Sequence, residues 1–553
     1  MIILLEFILG LTTAAAVYLL GCIVLKIVGP VFFSRYQSLA PFLGVSLLSL
    51  LGTIELVVGF PVGISGLLCL AGSIVVAVCY FRKSFFSSES LFTKYAIAFF
   101  LCFGLLSTVP FPGQWIAGGD WYVHLEKVIT ALDHSFGPHQ IDRSPFYSLG
   151  AAPFFWYLPP LQAFMVHTAT MGASTLLLFF FQDDHSSPLD GLGKNRGWIA
   201  MTILAPSPFF IISLQNMWPK LASGGCLLIM ILMLFRPVSK VDREHLIMGW
   251  LVFWIGLAFH ASHIIYGVLL FLLLWRTRKV IIGKLSLGLM LWLIIPPIVL
   301  IGLYEGWSLL RFGIEAKIAS NPTMTYHTDS SFFVKIAQNI LSTLVGDQAI
   351  IRTFDFWKTA FITGSASGYM EAIYFTAAAS LPWLSGSMIG ILIVLLPIRS
   401  QLHLKALTST PLASQLTIGF SFAIVSGLVL AQGNSHWGLL QAVFPASILV
   451  LYWWITGIIQ NQHQLRRLQL FAVALGALPF FLFSFCGLII LNVNVGPFPS
   501  MYEKLKSIDG DLMAVTANQF STFASKGFPV VPCIATVGFF LAYRHCVRRA
   551  TVD

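Results

Sequence analysis

Stretches of about twenty apolar residues recur from one end of this chain to the other, and that recurrence limits its fold more than any other feature. A helix needs roughly that length to cross ~30 Å of hydrocarbon, and a backbone in lipid must satisfy its own hydrogen bonds. Apolar runs fall near 2–27, 38–58, 61–80, 93–110, 160–181, 198–214, 217–235, 285–304, 369–397, 412–431, 438–458, 469–492 and 528–543. Only 10% of the 553 residues are charged, and mean hydropathy is +0.85. Soluble domains carry about 25% charged residues. The chain reads as an all-α integral membrane protein.

The stretch His245–Trp275 has basic residues on both flanks: Arg236, Lys240 and Arg243 before it, Arg276, Arg278, Lys279 and Lys284 after. One helix would place one cluster outside. Two short helices meeting at "FHASH" (Phe259–His263) keep both inside and bring the total to about 15 crossings. With the N-terminus outside, 21 of the 32 Lys and Arg then lie on the inner side, as the positive-inside bias requires. That bias and attraction to anionic lipid account for the net charge of +10. No basic run interleaved with aromatics points to nucleic acid. The expected location is the inner or plasma membrane, with the working surface outside, where the segments 111–159, 305–368 and 493–527 are long.

The organisation follows: N-terminal spans over 1–92, a membrane core over 93–304 with the outer loop 111–159, an amphipathic outer loop over 305–368, and C-terminal spans over 369–553 with the outer loop 493–527. The eight cysteines lie in or beside apolar spans without zinc spacing, and read as small core hydrophobes. The acidic inner loop "QDDHSSPLDGLGKN" (Gln182–Asn195) reads as solvated.

The first outer loop holds an island of charge, "GQWIAGGDWYVHLEKV" (Gly113–Val128), with Asp120, His124, Glu126 and Lys127 within eight positions. Trp121, Leu125 and Val128 recur at helical spacing after Asp120, which stands where an N-cap belongs. Two readings stay open. Asp120 caps a helix lying on the membrane surface, or it is a carboxylate held at the membrane face to act as base or metal ligand. Ionisable groups near the membrane core are costly and tend to be functional.

"GGDWYVHLEKV" followed by "IDRSPFYSL" (Ile141–Leu149) resembles the first outer loop of bacterial GT-C-fold glycosyltransferases that use polyprenyl-phosphate sugars. "LQNMWPKLASGGCLLI" (Leu214–Ile229) is similar to their Trp-Pro-Lys-Leu-x-Ala helix start, and "GLAFHASHIIYGVLLFLLL" (Gly256–Leu274) to their helix pair broken at a His. The likeness covers roughly 93–304. It implies a GT-C-like fold and sugar transfer to an acceptor hydroxyl, with Asp120 as general base. The donor would be a polyprenyl-phosphate sugar, and the acceptor a glycan, lipid or protein. It implies no particular cofactor, and a divalent metal is left open.

The leaving phosphate needs cations or neutral donors at the same depth. Lys220, beside Pro219 at a helix start, fits that need, and so does Arg143 with its forked guanidinium; a snorkelling Lys and a loop Arg paired with Asp142 are the plain alternatives. His260 and His263 stand three apart, on one face if the helix persists, as metal ligands, hydrogen-bond donors to phosphate or sugar, or structural groups. His124 and His436, the latter in "QGNSHWG" (Gln432–Gly438), are further candidates for sugar contact, His436 more simply an ordinary turn. Arg352 lies in "GDQAIIRTFDFWK" (Gly346–Lys358), which reads as an amphipathic helix at the membrane surface. Two other readings share the polytopic architecture: a transporter or lipid-linked glycan flippase, and a polysaccharide polymerase or ligase. The near absence of charge inside the spans weighs against transport.

Overall fold

A computed structural model describes residues 2–80, 91–108, 121–142, 144–180, 196–206, 208–215, 219–234, 243–267, 287–320, 347–364 and 530–551, with isolated residues near 270–275, 333–337, 372 and 466–473. All regular structure among them is helical. In chain order the helices are α1 (Ile2–Val28), α2 (Pro30–Tyr36), α3 (Ala40–Val58), α4 (Ile64–Tyr80), α5 (Leu91–Thr108), α6 (Trp121–Leu132), α7 (Phe146–Leu149), α8 (Pro160–Leu177), α9 (Arg196–Leu204), α10 (Pro208–Gln215), α11 (Pro219–Leu234), α12 (Arg243–Phe259), α13 (Leu287–Pro297), α14 (Leu303–Ser320), α15 (Asp347–Thr363) and α16 (Val530–Thr551). Among the described residues four helical stretches are long and apolar enough to cross a membrane: Ile8–Val28, Pro30–Val58, Gln162–Phe180 and Met290–Ile318. Four shorter apolar helices accompany them.

Small residues set the first packing step. α1 and α3 run antiparallel and touch through glycine: a Cβ on Gly21 would overlap the Ala40 carbonyl, and one on Gly44 would overlap that of Val17. Membrane helices lack a hydrophobic drive toward one another, so close backbone approach supplies the attraction. At the end of α3, Glu55 is buried, and its carboxylate accepts from the N–H groups of Gly63 (2.5 Å) and Ser65 (2.6 Å). These are orphan donors at the start of α4, so one carboxylate fixes the α3–α4 corner.

That corner receives the second half of the first outer loop. Trp156 Nε1 donates to the Val62 carbonyl (3.0 Å), and the Tyr157 hydroxyl bonds Thr13 Oγ1 (2.7 Å). Gly63 admits Ala152, and Gly52 admits Leu149. At the opposite end Lys94 lies over the Phe180 ring (4.9 Å), Phe180 meets Trp198, and Trp198 meets His545 of α16. The basic ends of α5 and α16 therefore gather away from the loop.

Two expected elements come out differently. The run 198–214 is not one span: α9 ends at Leu204 and α10 begins at Pro208, as the fixed φ and missing N–H of proline dictate. The run 285–304 does not stop at 304. Pro296 and Pro297 are followed by a π-helical turn (Ile298–Gly302), and the helix continues to Ser320 with a kink at Gly313 (φ 80°). The Lys317–Glu305 ion pair (2.8 Å) spans that extension. The described cysteines are free, and Cys22, Cys102, Cys226 and Cys546 are buried.

Candidate functional site

α6 starts at Trp121, one residue after Asp120. It is not a surface helix with one apolar stripe. His124, Leu125, Lys127, Val128, Ile129, Thr130 and Ala131 are all buried, which takes in most of its circumference. Glu126 is half-buried, and its carboxylate accepts from Gln140 Nε2 (2.9 Å); Gln140 in turn takes the Gly137 N–H (2.7 Å). These bonds fold residues 133–142 back over the helix.

His124 Nδ1 and Ser148 Oγ are 3.0 Å apart, both buried. Ser148 sits on α7, a single turn that follows Pro145. Its neighbour Tyr147 faces the His124 ring edge-on (5.6 Å) and meets the Phe259 ring at 6.2 Å; Phe146 meets the same Phe259 at 5.2 Å. Burial pushes the Tyr147 phenol above its ordinary range, so it stays neutral, 3.4 Å from Thr168 Oγ1.

Phe259 ends α12, and there the chain reverses. His260 is followed by a 3-10 turn (Ala261–Tyr266). In a continuous helix, residues seven apart would lie about 10 Å apart along the axis. Here the His263 ring fills the place where a Gly256 Cβ would stand, and Phe253 meets both His263 (5.4 Å) and Gly267. The expected break at Phe259–His263 is present. The condition for placing His260 and His263 on one face of a persisting α-helix is not met, because that helix ends at Phe259, ahead of both. His263 instead turns inward, with Nδ1 3.0 Å from Ser223 Oγ.

Ser223 lies one turn after Lys220 at the start of α11. Lys220 is only 1% exposed and Lys127 0%. A buried ammonium is costly unless paired and hydrogen-bonded, so two in one region is a demanding arrangement. Lys127 belongs to the charged island, and its burial is a feature that the sequence reading of the site does not include. The available signal was its position between Leu125 and Val128–Ile129, on a helix whose apolar positions run round most of its girth. Ser148 and Ser223 carried no signal of their own.

The structure thus links His124, the Tyr147–Ser148 turn, the Phe259–His263 reversal and the Lys220 helix start into one buried region. Asp120, Arg143 and His436 lie outside the described residues, as does the Arg352 side chain, although its helix α15 is described and spans Asp347–Thr363. Phe354, Phe361 and Ile362 of α15 are exposed, as an interfacial helix requires. Among the described residues no group of three or more His, Cys, Asp or Glu side chains is placed to hold a metal ion.

The class these observations define is a membrane protein, helical throughout its described residues, with a buried cluster of polar side chains. No protein-family model matches the chain, and no curated protein or solved structure does.

Proposed function

We propose that this protein is an outer-face membrane glycosyltransferase of GT-C-like architecture, with about 15 crossings, acting on a polyprenyl-phosphate sugar in the inner or plasma membrane. The observation that carries the reading is the chain of contacts His124–Ser148, Tyr147–Phe259 and His263–Ser223. It joins the three sequence stretches that resemble such enzymes, two of which carry a buried lysine, Lys127 and Lys220.

In this reading Asp120 takes the proton of an acceptor hydroxyl. The freed oxygen forms a bond to the anomeric carbon as the bond from that carbon to the phosphate oxygen breaks. The electron pair leaves on polyprenyl phosphate. A general base at hydrogen-bond distance contributes about 10²–10⁴-fold. Lys220, near the N–H groups of the first turn of α11, opposes the negative charge of the leaving phosphate. Arg143 is a second cation for the same group. The acceptor is a glycan, lipid or protein hydroxyl.

The test is mass spectrometry of lipids that co-purify with the wild type, Asp120→Asn and Lys220→Ala. Polyprenyl phosphate or its glycosylated form should accompany the wild type, persist with Asp120→Asn and fall with Lys220→Ala. Bulk phospholipid alone in all three, even after polyprenyl phosphate is added, would defeat the reading and leave transport as the next to examine.

A further inference from the structure

α16 has two unlike faces. On one, Phe539, Ala542 and Tyr543 pack on the core, and Cys546 and Ala550 are buried in it. The Tyr543 hydroxyl donates to the Thr202 carbonyl of α9 (2.9 Å), which fixes the rotation of the helix about its axis. The other face is open. Val537, Phe540 and Leu541 are each more than half exposed there. Further along, so that the strip continues, Arg544, His545 and Arg548 are exposed as well. At about 100° per residue, these six positions share an arc of about 140°. The open face is a single strip, apolar along its first half and cationic along its second.

The two halves call for different chemistry in one occupant. An alkyl chain suits Val537, Phe540 and Leu541. An anionic phosphate diester suits the end of the strip, because a guanidinium grips phosphate oxygens as a fork and an imidazole N–H adds a further donor. The 22 residues of α16 include no Asp or Glu, so no carboxylate on the helix itself neutralises these cations. Aromatic rings mark the level of the cationic half: Trp198 meets His545 (5.6 Å), Phe180 meets Trp198 (5.0 Å), and Lys94 lies over Phe180 (4.9 Å). Indole rings favour the boundary between hydrocarbon and headgroups, and basic side chains at that depth attract anionic lipid. A soluble anion would use the cations and leave the apolar half idle; a neutral lipid would do the reverse.

We infer that the open face of α16 binds one anionic phospholipid, with an acyl chain along Val537, Phe540 and Leu541 and the phosphate at Arg544, His545 and Arg548. This site goes beyond the sugar transfer proposed above and does not depend on it, since polyprenyl phosphate takes no part.

The experiment is native mass spectrometry of the full-length protein in detergent micelles, titrated with phosphatidylglycerol or with phosphatidylcholine of the same acyl chains. The wild type should retain phosphatidylglycerol severalfold more strongly than phosphatidylcholine. Arg544→Gln/Arg548→Gln should lose most of that preference. Arg276→Gln/Arg278→Gln, which removes the same charge from another basic cluster, should keep it, and excess inorganic phosphate should not displace the lipid. Equal retention of the two lipids by the wild type would overturn the inference. So would an equal loss in both double variants, which would mean a general effect of net charge, and so would displacement by phosphate, which would mean a site for free anion. A wild-type dimer that Phe540→Ala/Leu541→Ala converts to monomer with lipid retention unchanged would place a second copy on the face and overturn it too. Should the Arg544 and Arg548 double variant not fold, the single variants Arg544→Gln and Arg548→Gln decide by the same criterion.

Discussion

His124 and Ser148 show how much rests on single side chains. Each is buried, and 3.0 Å separates Nδ1 from Oγ. Leaving a buried polar atom without its partner costs about 1–3 kcal/mol. Ser148→Ala should therefore destabilise the purified protein by about that amount, and Ser148→Thr should recover part of it, as read from denaturant unfolding in detergent. A variant pair of equal stability would mean that the bond carries no weight. Of the residues legible beforehand, His124 and Lys220 were marked by chemistry that stands out in an apolar chain. Ser148 and Ser223 were not, because a serine gains its meaning from the imidazole opposite, and that partner is 24 or 40 positions away.

At the scale of elements, helix contacts explain where glycine is required. Gly44 lies where a Cβ would be 2.2 Å from the Val17 carbonyl oxygen. Backbone cannot yield there as a flexible side-chain end can. Gly44→Val should sharply reduce the yield of folded protein, whereas Gly72→Ala, with open space around it, should leave yield near that of the wild type; size-exclusion profiles of the solubilised protein check both. Among the described residues most helix boundaries were readable from apolar length; the expected spans 369–397, 412–431, 438–458 and 469–492 lie outside them. The split of 198–214 was foreshadowed by Pro206 and Pro208, yet the apolar count overrode them. The extension of the 285–304 run past 304 was hidden by its charges. Glu305 and Lys317 pair with each other, and Arg311 lies over the Trp307 ring (5.3 Å), so polar residues there do not end the helix.

Across the whole molecule, the reversal at His260 and the gathering of basic ends make a claim about sidedness. Cysteines introduced at Ser239 and Thr277 should react with a membrane-impermeant thiol reagent from the same side of sealed vesicles. One placed at Val552, beyond α16, should react from that side too. Labelling of Ser239→Cys and Thr277→Cys from opposite sides would mean one continuous helix across that stretch. The N-terminal helices have a use at this scale that no local pattern announced. The α3–α4 corner, with Thr13 of α1, holds residues 149–157 in place and so fixes the turn that carries Ser148.

The sequence by itself determined that this is a helical membrane protein, where most of the described helices lie, that the chain breaks at Phe259–His263, and which stretches are chemically unusual. Those properties follow from local quantities: apolar length, proline and glycine positions, and charge placed against an apolar background. Only the tertiary structure decided that α6 is buried rather than laid on a surface, that Lys127 lies in the interior, that His263 points toward Ser223, and which face of α16 is left open. Each of those depends on which faces meet across long sequence separations. In a chain apolar on nearly every side, periodicity does not say which face is turned toward protein and which toward lipid.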